Sequence, residues 1–144
     1  MMEQSGDQLF VYGSLRSGFH HPAYEYISRY FTLVSEAKAK GNLYDMGEYP
    51  AAVPSEQEVF IIGELYRVNN PEELDWAIAQ LDDYEGVHTE NGDAPLYRRE
   101  QTLVYTKDGR QAEAWIYWFN GDTAGKPNIE SGDILLYMQQ KNKS

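Results

Sequence analysis

The chain has 144 residues, of which 42% are hydrophobic and 14% aromatic, so it is long and apolar enough for one domain with a substantial core. Its 23 acidic and 12 basic residues give a formal net charge of −11. A surface of that sign repels nucleic-acid phosphates and anionic lipid headgroups, so neither nucleic acid nor membrane is an expected partner. The chain contains no cysteine, which excludes disulfides, thiol nucleophiles and cysteine-ligated metal sites. The polar N-terminal segment and the lack of a long apolar run predict a cytoplasmic protein.

Five segments predict β-strands, because their apolar residues either run together or alternate with polar ones. These segments are 8–13, 29–46, 59–68, 97–106 and 111–119. Gly41 is expected to mark a bend or bulge in the second of them. The pair Asp108 and Gly109 is expected at the centre of a hairpin that joins the last two. The segment 47–55 is predicted to be a loop because glycine and two prolines punctuate it.

Two helices are predicted, a short one at 22–29 and a longer one that begins at NNPEEL. Asn70 can cap the longer helix, Pro71 suits its first position, and Glu73 stands at the capping-box position. Apolar residues then recur at helical spacing and predict a buried stripe before Gly86. The stripe consists of Leu74, Ala77, Ile78, Leu81 and Tyr84.

The order of elements predicts a single α+β domain over residues 1–144, built on a curved or barrel-like mixed sheet with one main helix and one short helix. The segment beyond residue 120 reads as a loop with one apolar run at 134–138. The two ends, 1–7 and 139–144, are expected to fray.

The stretch LFVYGSLRSG sets a glycine-serine turn directly after the first strand. Gly13 lacks a Cβ, so the backbone can approach a ligand closely and consecutive N–H groups can point at one anion. The phosphate-loop pattern fails because Phe19 stands where lysine is required. The serine-hydrolase elbow fails because Gly13 directly precedes Ser14. The residues alone leave open an anion-binding loop or an ordinary turn.

The motif LDDYEG places three acids at a helix C-terminus, where the helix dipole favours cations. Glu85 continues the apolar stripe, Asp82 lies near it, and Asp83 points elsewhere. Burial and the dipole would raise the pKa of a carboxyl held there, so that it can both take and give a proton. The alternative is a solvated last turn that carries all three acids.

Alternation also predicts that one of Arg98 and Arg99 faces inward and pairs with Glu85, Asp82 or a substrate carboxylate. One aromatic row of the last strand, containing Trp115 and Tyr117, would pack in the core or wall a pocket. The three histidines have no metal-ligand spacing, so neither a metal nor a cofactor is expected.

Seven stretches in this order resemble the γ-glutamylcyclotransferase-like superfamily, which includes γ-glutamylamine cyclotransferases and AIG2-like proteins. They are VYGSLR, GNLYDMGEYPAAVP, GELYRV, LDDYEGV, LYRRE, AWIYWF and ESGD. The pair YGSL and L-D-x-Y-E-G is the most specific part of the resemblance, which extends over nearly the whole chain.

The resemblance implies a small α+β barrel whose reaction converts a γ-glutamyl amide into 5-oxoproline and a free amine. It implies that Glu85 is the acid/base and that one loop binds substrate: Tyr12, Gly13, Ser14 and Leu15. Backbone N–H groups of this loop, or Tyr97 or Tyr117, would stabilise the developing oxyanion. The partner expected is a γ-glutamyl amine or small γ-glutamyl amino acid. A non-catalytic carboxylate-binding module and removal of a γ-glutamyl group from a biosynthetic intermediate remain alternatives.

Overall fold

The structure is a computed structural model that describes residues 8–12, 22–46, 50–85 and 97–142. Its secondary-structure elements, given in chain order, comprise strands β1 to β6 and helices α1 to α3. They are β1 (Gln8–Val11), α1 (Pro22–Tyr30), β2 (Phe31–Asp45), β3 (Pro50–Pro54), β4 (Phe60–Val68), a 3₁₀ turn (Pro71–Glu73), α2 (Leu74–Glu85), β5 (Tyr97–Thr106), β6 (Gln111–Phe119) and α3 (Ile134–Asn142).

Five strands close into a mixed barrel. The sheet order is β3-β2-β4-β1-β6-β5, and β2 also pairs with β5, which joins the two ends of the five-strand series. The strand β1 runs parallel to β6, with Leu9 opposite Trp115, whereas the other pairings are antiparallel. The remaining strand, β3, pairs with the second half of β2. The α+β barrel that the sequence predicts is therefore confirmed.

The two faces of the barrel wall belong to two different cores. Side chains alternate along β1, so Leu9 and Val11 join one cluster while Phe10 and Tyr12 join the other. The first cluster contains apolar residues of α1 and α2, so these helices cover the outer face of the barrel. The second contains side chains from the other face of all five barrel strands, which points away from α1 and α2 into the interior, and Ile134 of α3 packs with it.

Local signals in the sequence predict several elements correctly. The strands of the β5–β6 hairpin have the predicted bounds, and Gly109 adopts a left-handed φ of 87° between them. At the start of the 3₁₀ turn that leads into α2, the side chain of Asn70 accepts a hydrogen bond from the Glu72 N–H at 3.1 Å, and Pro71 follows it. Helix α1 begins at Pro22, as expected.

The predicted loop at 47–55 is wrong, because five of its residues form β3. Pro50 and Pro54 stand at the two ends of the strand, where a missing N–H is tolerated. Ala51 and Ala52 between them are completely buried against β2. The pairing with β2 therefore overrides the loop signal of the prolines.

Two further expectations are corrected. The register irregularity of β2 lies between Leu33 and Ser35, so the expected bulge is not at Gly41, whereas a bend at Gly41, where β2 changes its partner from β4 to β3, stays a prediction. The chain beyond residue 120 is not all loop, because α3 continues to Asn142 through part of the segment expected to fray. Asp133 caps this helix, since its Oδ1 accepts the N–H groups of Leu135 and Leu136 at 3.0 and 3.2 Å.

Candidate functional site

A buried carboxylate anchors the last turn of α2 to the barrel. The side chain of Asp82 is only 5% exposed, and its two oxygens accept hydrogen bonds from Arg99 Nε at 2.7 Å and Arg99 Nη2 at 3.1 Å. Tyr117 donates a third hydrogen bond to Asp82 Oδ1 at 2.9 Å. Arg99 and Tyr117 lie opposite each other on β5 and β6. A bidentate hydrogen bond from one arginine, together with a hydrogen bond from a hydroxyl group, fixes both the position and the orientation of a carboxylate.

The two adjacent arginines of β5 have different surroundings. Arg99 has a side chain that is 24% exposed, and its guanidinium lies 4.4 Å above the ring of Trp115. Arg98 is more exposed and pairs with Glu100 at the surface. The prediction that one of them faces inward is confirmed, and among the described side chains Arg99 pairs with Asp82.

The strand that leads into the predicted substrate loop is tied to the same cluster. The hydroxyl of Tyr12 donates a hydrogen bond to the backbone carbonyl of Tyr117, and Tyr12 is itself buried. A chain of contacts therefore runs from Tyr12 through Tyr117 to Asp82 and Arg99. We call these four residues the Asp82 network. It links the end of β1 to the C-terminal turn of α2, which are the two places where the sequence predicts functional groups.

A second buried carboxylate lies on β4, beside the end of β1. Glu64 is 7% exposed, its Oε1 accepts a hydrogen bond from the Tyr66 hydroxyl at 2.9 Å, and it stands opposite Val11 in the strand register. The sequence analysis does not single out this residue. Its signal is the acid in the middle of the apolar run IIGELY, because a glutamate is seldom buried unless it has a partner.

The described residues contain only part of the predicted site. Glu85 is the last residue of α2, and its side chain lies outside the described part of the chain. Gly13, Ser14 and Leu15 also lie outside it. The roles of all four residues therefore stay predictions. Glu85 follows Asp82 by three residues, so its backbone lies roughly 4.5 Å further along the helix axis.

The two tyrosines predicted to stabilise an oxyanion both donate to the protein. Tyr97 donates to the Pro50 carbonyl at 2.8 Å, and Tyr117 donates to Asp82. Because a phenol has a single proton, either residue would have to leave this partner before it could donate to a substrate oxygen. In this arrangement Tyr97 connects β5 to β3, and Tyr117 connects β6 to α2.

Comparison of the sequence with known protein families shows the family of this chain. The family model described as "Gamma-glutamyl cyclotransferase, AIG2-like" matches residues 9–136, which cover most of the chain. The chain belongs to this family. As a family member it is similar to the gamma-glutamylcyclotransferase family protein YtfP of Escherichia coli strain K12, at 33% identity over 129 residues, which cover 89% of this chain and 96% of YtfP.

Solved structures agree on the fold of this cyclotransferase-family chain. An AIG2-like protein from Mus musculus matches with a TM-score of 0.65 at 20% identity, over 88% of each chain. YkqA from Bacillus subtilis matches with a TM-score of 0.71 at 25% identity, and the match covers 96% of this chain but only 43% of YkqA.

Two further features of this family member bear on its partners. Within the ranges that the structure describes, no group of three or more His, Cys, Asp or Glu side chains could hold a metal ion. His20, His21 and His88 lie outside those ranges. None of the helices described is both long enough and apolar enough to span a bilayer.

Proposed function

We propose that this protein is an enzyme that cyclises a γ-glutamyl amine or a small γ-glutamyl amino acid to 5-oxoproline and releases the amine. Membership of the family supports the reaction class. The observation that carries the proposal is the Asp82 network, which joins the end of β1 to the helix turn that carries Glu85. An acid/base and a substrate loop must be held in a constant relation, and this network supplies such a connection.

The reaction needs no nucleophile from the protein. The α-amino nitrogen of the substrate forms a bond to its own γ-carbonyl carbon, and the bond from that carbon to the leaving nitrogen breaks. One proton moves from the attacking amine to the departing amine, so atoms and charge balance. Because the attack is intramolecular, correct positioning can contribute on the order of 7–11 kcal/mol, part of which the tethered substrate already has.

Glu85 is the proposed carrier of that proton. It would accept the proton from the attacking nitrogen and deliver it to the leaving nitrogen, a role that typically contributes roughly 10²–10⁴-fold. Asp82 is poorly suited to this role, because its oxygens already accept three hydrogen bonds from Arg99 and Tyr117. Of the three acids in LDDYEG, Asp82 therefore anchors the helix, the helical spacing directs Asp83 away from the apolar stripe, and Glu85 is left for the chemistry.

The substrate carboxylate is the proposed ligand of the loop after β1. Arg99 is already paired with Asp82, so it is not the cation that this carboxylate requires. Backbone N–H groups of Gly13, Ser14 and Leu15 can take its place, since consecutive amides form a site for an anion. The net charge of −11 disfavours substrates that carry a second carboxylate, so of the two proposed classes it favours a γ-glutamyl amine over a γ-glutamyl amino acid.

The test is an assay of 5-oxoproline by mass spectrometry after incubation with a panel of γ-glutamyl amines and γ-glutamyl amino acids. The protein should turn over at least one member, and Glu85→Gln should lower kcat by roughly 10²–10⁴-fold. Asp75→Asn is the matched control, because it removes an exposed carboxylate from the same helix and should leave kcat unchanged.

Three results would change the proposal. Normal turnover by Glu85→Gln would remove Glu85 from the mechanism. Binding of a γ-glutamyl compound without any turnover would favour a carboxylate-binding module. Turnover restricted to larger γ-glutamyl conjugates would favour processing of a biosynthetic intermediate.

A further inference from the structure

A groove of about 450 Å³ lies on the outer wall of the barrel, where β2 pairs with β5. Lys38 stands opposite Ile62 of β4 and Tyr105 of β5, so the three residues form one row across the sheet. Ala37 and Val104, their chain neighbours, belong to the interior cluster, so this row points outward. The volume is within the range of roughly 300–1,000 Å³ that is typical of small-molecule sites. We call it the β2–β5 groove, defined by six of its lining residues: Glu36, Lys38, Ile62, Tyr105, Thr106 and Lys107.

Lys38 brings an accessible positive charge into the β2–β5 groove. Its side chain is exposed, and its Nζ lies 4.3 Å from the centroid of the Phe60 ring. The ring attracts the ammonium group through its quadrupole, but the formal charge stays on the lysine. Among the described residues, the acid that lines the groove is Glu36, and it pairs with Lys107, whose Nζ lies 3.6 Å away. The groove therefore keeps the charge of Lys38, although the chain as a whole is strongly acidic.

Tyr105 adds a hydrogen-bond donor and an apolar wall beside this charge. Its ring meets the Phe60 ring edge to face, with the two centroids 5.9 Å apart. The side chain of Tyr105 is half-buried, and its hydroxyl makes no hydrogen bond within the described part of the chain. A phenol has one proton to donate, so this hydroxyl can donate to a ligand in the groove. Ile62, on the other side of Lys38, extends the apolar surface.

We propose that the β2–β5 groove binds a small organic monoanion, namely a carboxylate attached to a flat apolar body such as an aromatic ring. The two carboxylate oxygens would accept hydrogen bonds from Lys38 Nζ and from the Tyr105 hydroxyl. The apolar body would cover the rings of Tyr105 and Phe60. One unneutralised lysine matches a carboxylate better than a phosphate monoester, which carries about 1.5 to 2 negative charges at neutral pH.

The β2–β5 groove is separate from the proposed catalytic site. Tyr105 lies six residues after Arg99 on β5, which is roughly 20 Å along the strand. The groove also shares no lining residue with the Asp82 network. This proposal therefore does not depend on the proposed function, and Glu85→Gln should bind the ligand as the native protein does.

Three small probes separate the two halves of this recognition. Benzoate has both the charge and the apolar body, benzamide keeps the body without the charge, and acetate keeps the charge without the body. Titration of the ¹⁵N-labelled protein with benzoate, followed by NMR, should shift the backbone amides of Lys38, Tyr105 and Lys107 in a saturable way. Benzamide and acetate should each bind at least roughly tenfold more weakly, because each lacks one of the two contacts.

Variants locate the binding. Lys38→Gln removes the charge at an exposed position and should weaken the binding of benzoate roughly tenfold or more. Tyr105→Phe keeps the ring and removes the hydroxyl, so it should weaken binding by a smaller factor, roughly threefold to tenfold. Lys126→Gln is the matched control, because Lys126 is exposed and does not line the groove. It changes the net charge as Lys38→Gln does, and it should bind benzoate normally.

Any of three results would overturn the proposal. The first is the absence of saturable shifts at these amides with benzoate. The second is benzamide binding as tightly as benzoate, since the charge of Lys38 would then have no part in recognition. The third is equal weakening of benzoate binding by Lys38→Gln and Lys126→Gln, since this would show a general charge effect rather than a site.

Discussion

Replacing Arg99 by leucine removes two of the three hydrogen bonds that hold the Asp82 carboxylate in the described structure. Breaking a buried ion pair from one side typically costs about 3–5 kcal/mol, because the remaining charge is left without compensation. Arg99 is 24% exposed, and Tyr117 still donates to Asp82 in the variant. Water can therefore replace part of the loss, and we expect Arg99→Leu to lower the free energy of unfolding by about 3 kcal/mol.

Urea denaturation followed by tryptophan fluorescence measures this change. The matched control is Arg98→Leu, which removes the neighbouring arginine from a pair with Glu100 at the surface. Exposed pairs of this kind contribute about 1 kcal/mol or less. The two substitutions make the same chemical change on one strand, so the difference between them reports the burial and the partner of Arg99.

A double-mutant cycle isolates the pair itself. Removing both charges in Asp82→Leu with Arg99→Leu leaves no unpaired buried charge, so the double variant should be more stable than the sum of the single changes predicts, by about 2 kcal/mol. The reasoning would be refuted if the single effects simply added. It would also be refuted if Arg98→Leu and Arg99→Leu destabilised the protein equally.

Two further predictions concern the barrel wall and the hairpin. A Cβ added at Gly63 would lie 2.3 Å from the Val11 carbonyl oxygen. Gly63→Ala should therefore lower the free energy of unfolding, measured by urea denaturation, by about 1–3 kcal/mol or more. An unchanged midpoint of urea denaturation would contradict the close approach of β4 to β1. The Asp108 carboxyl should titrate by NMR below its ordinary pKa of 3.8, and Thr106→Val should raise that pKa. Because the pKa of Asp108 is lower in the folded than in the unfolded protein, its stabilisation is fully present above the unfolded-state pKa and is lost as the pH falls through the folded-state pKa. An unshifted pKa of Asp108 in the native protein would contradict the hydrogen bond from Thr106.

Short-range features of the sequence determine several elements by themselves. The pair Asp108 and Gly109 predicts its hairpin because only a few turn conformations accept that sequence between two strands. Asn70 and Pro71 predict the start of the helical segment because the cap and its first N–H groups are neighbours in the chain. Alternation along β5 shows that one of two arginines faces inward, and the ordered motifs indicate the family.

Only the tertiary structure decided which groups meet. Arg99 rather than Arg98 faces inward because β5 pairs with β6 in a register that sets Arg99 opposite Tyr117, and α2 then brings Asp82 onto both. These residues are 17 and 35 positions from Asp82 along the chain, so no local pattern contains the contact.

Contacts between distant parts of the chain also explain the features that local sequence patterns do not predict. The strand β3 forms despite its two prolines because β2 supplies a pairing partner for the alanines between them. Gln8 is buried although it is polar, and its position on the central strand β1 between β4 and β6 becomes apparent only in the folded sheet. Periodicity and turn chemistry act over a few residues, whereas barrel closure and burial depend on contacts between distant parts of the chain, and these contacts exist only in the folded protein.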